Sequence, residues 1–112
     1  VNDTYGHAAG DKVLMHVAVA AAAELRDGDT IGRFGGEEFV IILPNATSEN
    51  AVSIAERIRR VIEKADIDPC VTISVGVAEL SRGELADTLL NRADQALYAA
   101  KRKGRNTMHL AA

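Results

Sequence analysis

An α+β domain, with helices covering a mostly antiparallel sheet, is the fold class the sequence predicts. Three observations carry it. Three long stretches place apolar residues at helical spacing, two β-prone runs are separated by Gly35-Gly36, and Val71–Ala78 alternates strictly. The 112 residues hold one domain, residues 1–112, with no internal repeat and no Pro/Ser-rich linker. Hydrophobic residues at 47% and charged residues at 26% exclude disordered, collagen-like and low-complexity classes. No apolar run approaches the roughly 20 residues that span a bilayer. The single cysteine, Cys70, cannot close an internal disulfide, so the chain reads as cytoplasmic, and as a small buried hydrophobe at that position. A net charge of -3 argues against a nucleic acid polymer as partner, so any phosphate recognition must come from local basic residues.

The elements follow in order. Ala8–Arg26 is Ala-rich, with Leu14, Val17, Ala18, Ala21 and Leu25 as its apolar stripe, and Gly28 stands where a left-handed cap would end the helix. Thr30–Phe34 and Glu38–Leu43 form a hairpin across Gly35-Gly36, and Pro44 ends the second strand because it cannot donate to a ladder. Thr47 or Ser48 caps a second helix with the stripe Ala51, Ile54, Ala55, Ile58, Val61, Ile62 and Ala65. Its other face, with Glu56, Arg59, Arg60, Glu63 and Lys64, is solvated. Val71–Ala78 tolerates burial on both faces, which places it inside the sheet. A last helix from about Glu84 to Lys103 has the stripe Leu89, Leu90, Ala93, Ala96, Leu97 and Ala100. Gly104 stops it, and Thr107–Leu110 is long enough for one terminal strand.

The segment Arg33-Phe34-Gly35-Gly36-Glu37-Glu38-Phe39 carries the chemistry. A glycine turn lets backbone approach a ligand closely, and two adjacent carboxylates follow at once. Successive strand residues point to opposite faces, so Glu37 and Glu38 would not do identical jobs. Carboxylates beside a bound phosphate need a cation between them, which suggests Mg²⁺ held by few protein ligands. The plainer alternative is a surface hairpin with two solvated glutamates. Lys101 and Arg105 are cations at a helix C-terminus with Gly104 between them, able to meet one anion or merely to complement the helix dipole. His7 has no second His or Cys at ligand spacing and reads as structural.

Four co-linear segments resemble the GGDEF family of diguanylate cyclases over nearly the whole chain: Asn2–Asp11 (NDTYGHAAGD), Gly35–Phe39 (GGEEF), Ser74–Ala78 (SVGVA) and Ala93–Asn106 (ADQALYAAKRKGRN). The resemblance implies a palm/ferredoxin-like, nucleotidyl cyclase-like fold. It also implies an enzyme that condenses two GTP into cyclic di-GMP and two pyrophosphates across a homodimer, with Mg²⁺ or Mn²⁺. Carried over by position, Gly35 and Gly36 let the triphosphate and ribose lie against the hairpin. Glu37 binds metal and helps activate the 3′-hydroxyl, and Glu38 completes the acidic pair. Asn2 and Asp11 recognise guanine, whose N1–H and N2 amine suit an acceptor. Lys101 and Arg105 bind phosphate.

The resemblance further assigns Arg26 and Asp29, an RxxD pattern shortly before the hairpin, to a product-inhibition site, with Arg57 as its additional arginine. Arginine's planar fork pairs with phosphate oxygens and stacks on guanine. Without the family, the same residues are a charged helix end followed by a turn. The family's domain begins several tens of residues earlier, with a first strand bearing an Asp-x-Asp segment. That strand is missing here, so the expectation is that this piece has lost most catalytic ability and folds poorly alone. The resemblance also implies an upstream sensory or receiver domain, through which a membrane tether could act. The alternative function is a cyclic di-GMP receptor that uses Arg26, Asp29 and Arg57 without turnover.

Overall fold

The structure of the chain, a computed structural model, describes residues 6–35, 37–66 and 71–111. Helix α1 (Gly6–Ala22) leads into a hairpin of β1 (Thr30–Gly35) and β2 (Glu38–Ile42). Then come α2 (Ser48–Lys64), β3 (Val75–Val77), α3 (Ala86–Arg102) and β4 (Met108–Leu110). The α+β class holds, and the sheet lies in two pieces. β1 and β2 pair antiparallel in the longer ladder, whereas β3 and β4 pair parallel across the α3 crossover.

One core lies between α1, α2 and the inner face of the hairpin. Val13, Val17 and Ala21 of α1 meet Ile54, Ile58 and Ile62 of α2, and Ile31, Phe39, Ile41 and Leu43 pack over them. The α2 stripe matches its sequence reading, because Ile54, Ala55, Ile58 and Ile62 are all buried. The α1 stripe is rotated by one position toward Val13, and Leu14 and Ala18 are only half-buried. In an Ala-rich helix several faces are apolar enough to turn inward, so packing against α2 selects the face. A second small core forms where α3 covers β3, and Ala96, Ala100 and Val77 are its buried residues. Leu90, expected in that stripe, is exposed.

Thr47 caps α2, its hydroxyl accepting from the Asn50 N–H at 3.2 Å. Ser48 instead donates its N–H to the Glu79 carboxylate at 2.6 Å, which ties the start of α2 to the segment after β3. Helix α1 stops at Ala22, short of Arg26. Its last turn tightens into bonds from Glu24 N–H to Ala21 O and from Leu25 N–H to Ala22 O, which lets Leu25 fold onto the core. Gly28 is therefore not the helix cap. With φ 89° it sits at the third position of the Arg26–Asp29 turn, closed by Asp29 N–H to Arg26 O at 3.1 Å.

Val71–Ala78 forms a regular strand only at Val75–Val77, and among the described residues only β4 pairs with it. The interior position read from its alternation is thus not seen among those residues. Its burial comes from α3 on one face, since Val71 and Ile73 are only partly buried against the main core. Gly104 ends α3 as the sequence indicates. With φ 114° it anchors a Schellman closure, Gly104 N–H to Lys101 O at 3.3 Å and Arg105 N–H to Ala100 O at 3.2 Å.

Candidate active site

The hairpin tip differs in one respect from its sequence reading. β1 runs through Gly35 and β2 begins at Glu38, leaving positions 36 and 37 as the connection. Glu37 therefore lies in the turn itself and not on a strand, so strand alternation does not separate it from Glu38. Both glutamates are exposed. The ladder slips between Arg33 and Gly35, which leaves Phe34 without a cross-strand partner and 66% exposed. Such a bulge adds local twist and re-aims the residues beyond it.

The hairpin approaches α1 through an exposed pair. Arg33 of β1 approaches Asp11 of α1, Nη2 to Oδ1, at 3.8 Å, and both side chains are largely exposed. The acidic hairpin and one of the two residues assigned to guanine thus share a surface. Asn2 and Gly36 lie outside the described residues, as do Cys70 and the side chain of His7. Among the described residues no group of three or more His, Cys, Asp or Glu is arranged to hold a metal. Glu37 and Glu38 offer hard carboxylate oxygens, and that donor set suits Mg²⁺, which typically takes one or two carboxylates and completes its shell with water and substrate phosphate.

Lys101 and Arg105 are both exposed at the α3 terminus, on either side of Gly104. Among the described residues neither side chain has a hydrogen-bond or ion-pair partner, so both are available to an anion. Arg102 differs, because its guanidinium lies 5.8 Å from the Tyr98 ring centroid.

Arg26 and Asp29 are already joined. Arg26 donates from Nε and Nη2 to the two Asp29 oxygens at 3.0 and 2.8 Å, and its backbone N–H adds a third bond at 2.8 Å. Nη2 also reaches the Pro44 carbonyl at 3.0 Å, which pins this turn to the end of the hairpin. The Asp29 side chain is only 1% exposed, and the Arg26 hydrogen bonds hold its carboxyl below the usual aspartate range. Arg57 of α2 donates to the Glu24 carboxylate at 2.9 Å and to the Glu24 carbonyl at 2.8 Å. It also lines an open groove of about 420 Å³ with Ser53, Arg60 and Lys64. The three residues therefore brace one corner, where α1 gives way to β1 over α2.

Sequence reasoning missed the partners of this second surface, Glu24 and Pro44, and it missed Asn106. Asn106 accepts from Arg59 and donates to Glu63, both on α2. The available signal was an Asn directly after Gly-Arg at a helix end, since Asn tolerates the left-handed conformation better than most residues.

Comparison with known proteins establishes the family and the fold. The family described as "Diguanylate cyclase, GGDEF domain" matches residues 1–107. Diguanylate cyclase A of Treponema denticola is 45% identical over 98% of this chain, which spans 31% of that protein's length. Among solved structures, the active GGEEF domain of a diguanylate cyclase from Vibrio cholerae superposes with a TM-score of 0.89 at 37% identity, covering 99% of this chain and 74% of that one. The coiled coil and GGDEF domain of DgcB from Caulobacter crescentus, in complex with c-di-GMP, gives 0.89 at 33% identity, covering 98% and 62%. With its hairpin, its helix-end cations and nearly its full length accounted for, the chain belongs to the GGDEF domain family of diguanylate cyclases.

Proposed function

We propose that the chain binds GTP on the surface bounded by the hairpin tip, Asp11 and the end of α3, and that two copies facing each other condense two GTP into cyclic di-GMP and two pyrophosphates. The observation that supports this reading is the Arg33–Asp11 approach at 3.8 Å, which sets a strand residue of the hairpin beside the carboxylate assigned to guanine.

Each residue has a chemical task. Asp11 accepts from the guanine N1–H and N2 amine, which adenine cannot supply in that pattern. Lys101 and Arg105 neutralise phosphate oxygens, and each charge-assisted bond is worth about 1.5–3 kcal/mol. Glu37 takes the proton of the attacking 3′-hydroxyl as its oxygen bonds to the α-phosphorus of the facing GTP and pyrophosphate departs. Glu37 and Glu38 would hold Mg²⁺ or Mn²⁺, which when bound supplies charge neutralisation of the triphosphate and polarises the α-phosphate. No covalent enzyme intermediate is needed, so positioning and electrostatics carry the rate.

A second part of the proposal concerns the product. Arg26, Asp29 and Arg57 form a pre-arranged arginine corner suited to a cyclic dinucleotide, with Arg26 Nη1 left over by the Asp29 pair. Calorimetric titration with GTP, ATP and cyclic di-GMP in the presence of Mg²⁺ tests both parts. The reading predicts saturable GTP binding that Lys101→Ala or Arg105→Ala weakens about tenfold or more. Cyclic di-GMP binding should instead respond to Arg57→Ala. Equal affinity for ATP and GTP would overturn the guanine assignment. Binding of cyclic di-GMP with no binding of GTP would transfer the chain to the receptor class.

A further inference from the structure

Three consecutive residues after α3 adopt positive φ: Gly104 at 114°, Arg105 at 63° and Asn106 at 46°. Glycine accepts this freely, but two successive residues with a Cβ do not, and such a run persists only where the surroundings over-determine it. The Schellman bonds account for Gly104 and Arg105 as far as the backbone goes. What fixes the run beyond them is the Asn106 side chain. Its Oδ1 accepts from Arg59 Nη1 at 2.9 Å and its Nδ2 donates to Glu63 Oε2 at 2.5 Å.

The anchor on α2 is itself rigid. Arg59 is 14% exposed, donates from Nε and Nη2 to the Glu56 carboxylate at 2.8 and 2.9 Å, and lies 3.7 Å from Glu63. Its neighbours Ile58 and Ile62 are core residues. A cation on one side and a carboxylate on the other call for a side chain that accepts from the first and donates to the second. Asn does both, Asp lacks the donor and would set a like charge against Glu63, and an apolar residue does neither. The strained run contains Arg105 itself, whose side chain has no partner among the described residues.

We infer that Asn106 is a positioning residue for the triphosphate: by pinning the turn to Arg59 and Glu63, it sets the backbone from which Arg105 reaches the phosphates. The inference rests on the reading of Arg105 as a phosphate ligand. The test is a double-mutant cycle read by GTP titration, with guanosine as a probe that lacks phosphates. Asn106→Gly keeps a backbone that tolerates positive φ, adds no charge and removes the pin. It should weaken GTP about tenfold, leave guanosine unchanged, and have no further effect in an Arg105→Ala background. The pair Asn106→Asp with Glu63→Gln rebuilds the contact with donor and acceptor exchanged, and should restore GTP affinity.

A merely structural role predicts equal losses for GTP and guanosine, in both backgrounds, and would overturn the inference. So would unchanged GTP affinity in Asn106→Gly while Arg105→Ala weakens it. If Arg105→Ala has no effect on GTP, the phosphate-ligand reading falls, and the inference falls with it.

Discussion

Among Gly28, Gly32, Gly76, Gly83 and Gly104, Gly76 is the position where an added methyl group meets other atoms closely. A Cβ built there would stand 2.3 Å from the Ala93 carbonyl oxygen, 2.3 Å from the Leu97 nitrogen and 2.8 Å from the Leu97 Cα. All three atoms are backbone of α3, so no side chain can rotate away. The helix must lift off β3 by about 1 Å to reach an ordinary contact distance. Ala96 and Ala100 of α3, 3% and 0% exposed, would then lose burial as the helix moves away from β3. Overpacking typically costs about 1–3 kcal/mol, and an obstacle made of backbone puts Gly76→Ala at the upper end. With an unfolding entropy of about 2.1 cal/mol/K per residue, ~3 kcal/mol lowers Tm by about 13 °C in a chain of this length. Thermal melts followed by circular dichroism measure it, with Gly32→Ala as the control, because nothing lies within 4 Å of a Cβ there. A Gly76→Ala variant that melts within about 2 °C of the unsubstituted chain would show that α3 accommodates the methyl group without loss.

Ile62, 1% exposed at the α1–α2 contact, should cost about 2–5 kcal/mol on truncation to Ala, seen as a lower urea midpoint at unchanged m. Leu85, 73% exposed, should tolerate Ala within about 0.5 kcal/mol in the same assay. On acidification, Asp29, Glu56 and Glu79 act together, each held below its usual pKa by hydrogen bonds from Arg26, Arg59 and Ser48 respectively. Their folded values lie below the unfolded values of 3.8 for Asp and 4.5 for Glu. Their stabilisation is therefore complete above those values and is lost as pH falls through the lowered ones. Tm measured from pH 7 to pH 3 should hold steady and then fall below about pH 4.5. A Tm that rises on acidification would contradict the three pairings.

Legibility in the sequence followed the range of the interactions. Helix α2 was readable because its Ile54, Ile58 and Ile62 stripe stands against charged residues, and Thr47 and Gly104 mark ends through local backbone chemistry. The hairpin was readable from its glycines, but the bulge at Phe34, which places Glu37 in the turn, depends on register across two strands. The face and end of α1 were obscured by alanine, which suits a helix everywhere and favours no direction. The parallel β3–β4 pairing was not read from the sequence, although α3 supplies the crossover of a dozen or more residues that parallel neighbours need. For the site, residue types and spacing pointed to the acidic tip and the α3 cations. The clamp of Arg59, Glu63 and Asn106 joins positions 43 to 47 apart in sequence and leaves no periodic trace.

The proposed condensation depends above all on activation of a GTP hydroxyl by the acidic hairpin tip. Product analysis after incubation with GTP and Mg²⁺ tests it most directly, comparing the chain with Glu37→Gln at matched thermal stability. Cyclic di-GMP and pyrophosphate are predicted at the reduced rate expected of this chain, with a rate at least ~100-fold lower again from the variant, the scale of a lost general base. Equal rates of product formation in the two proteins would contradict it.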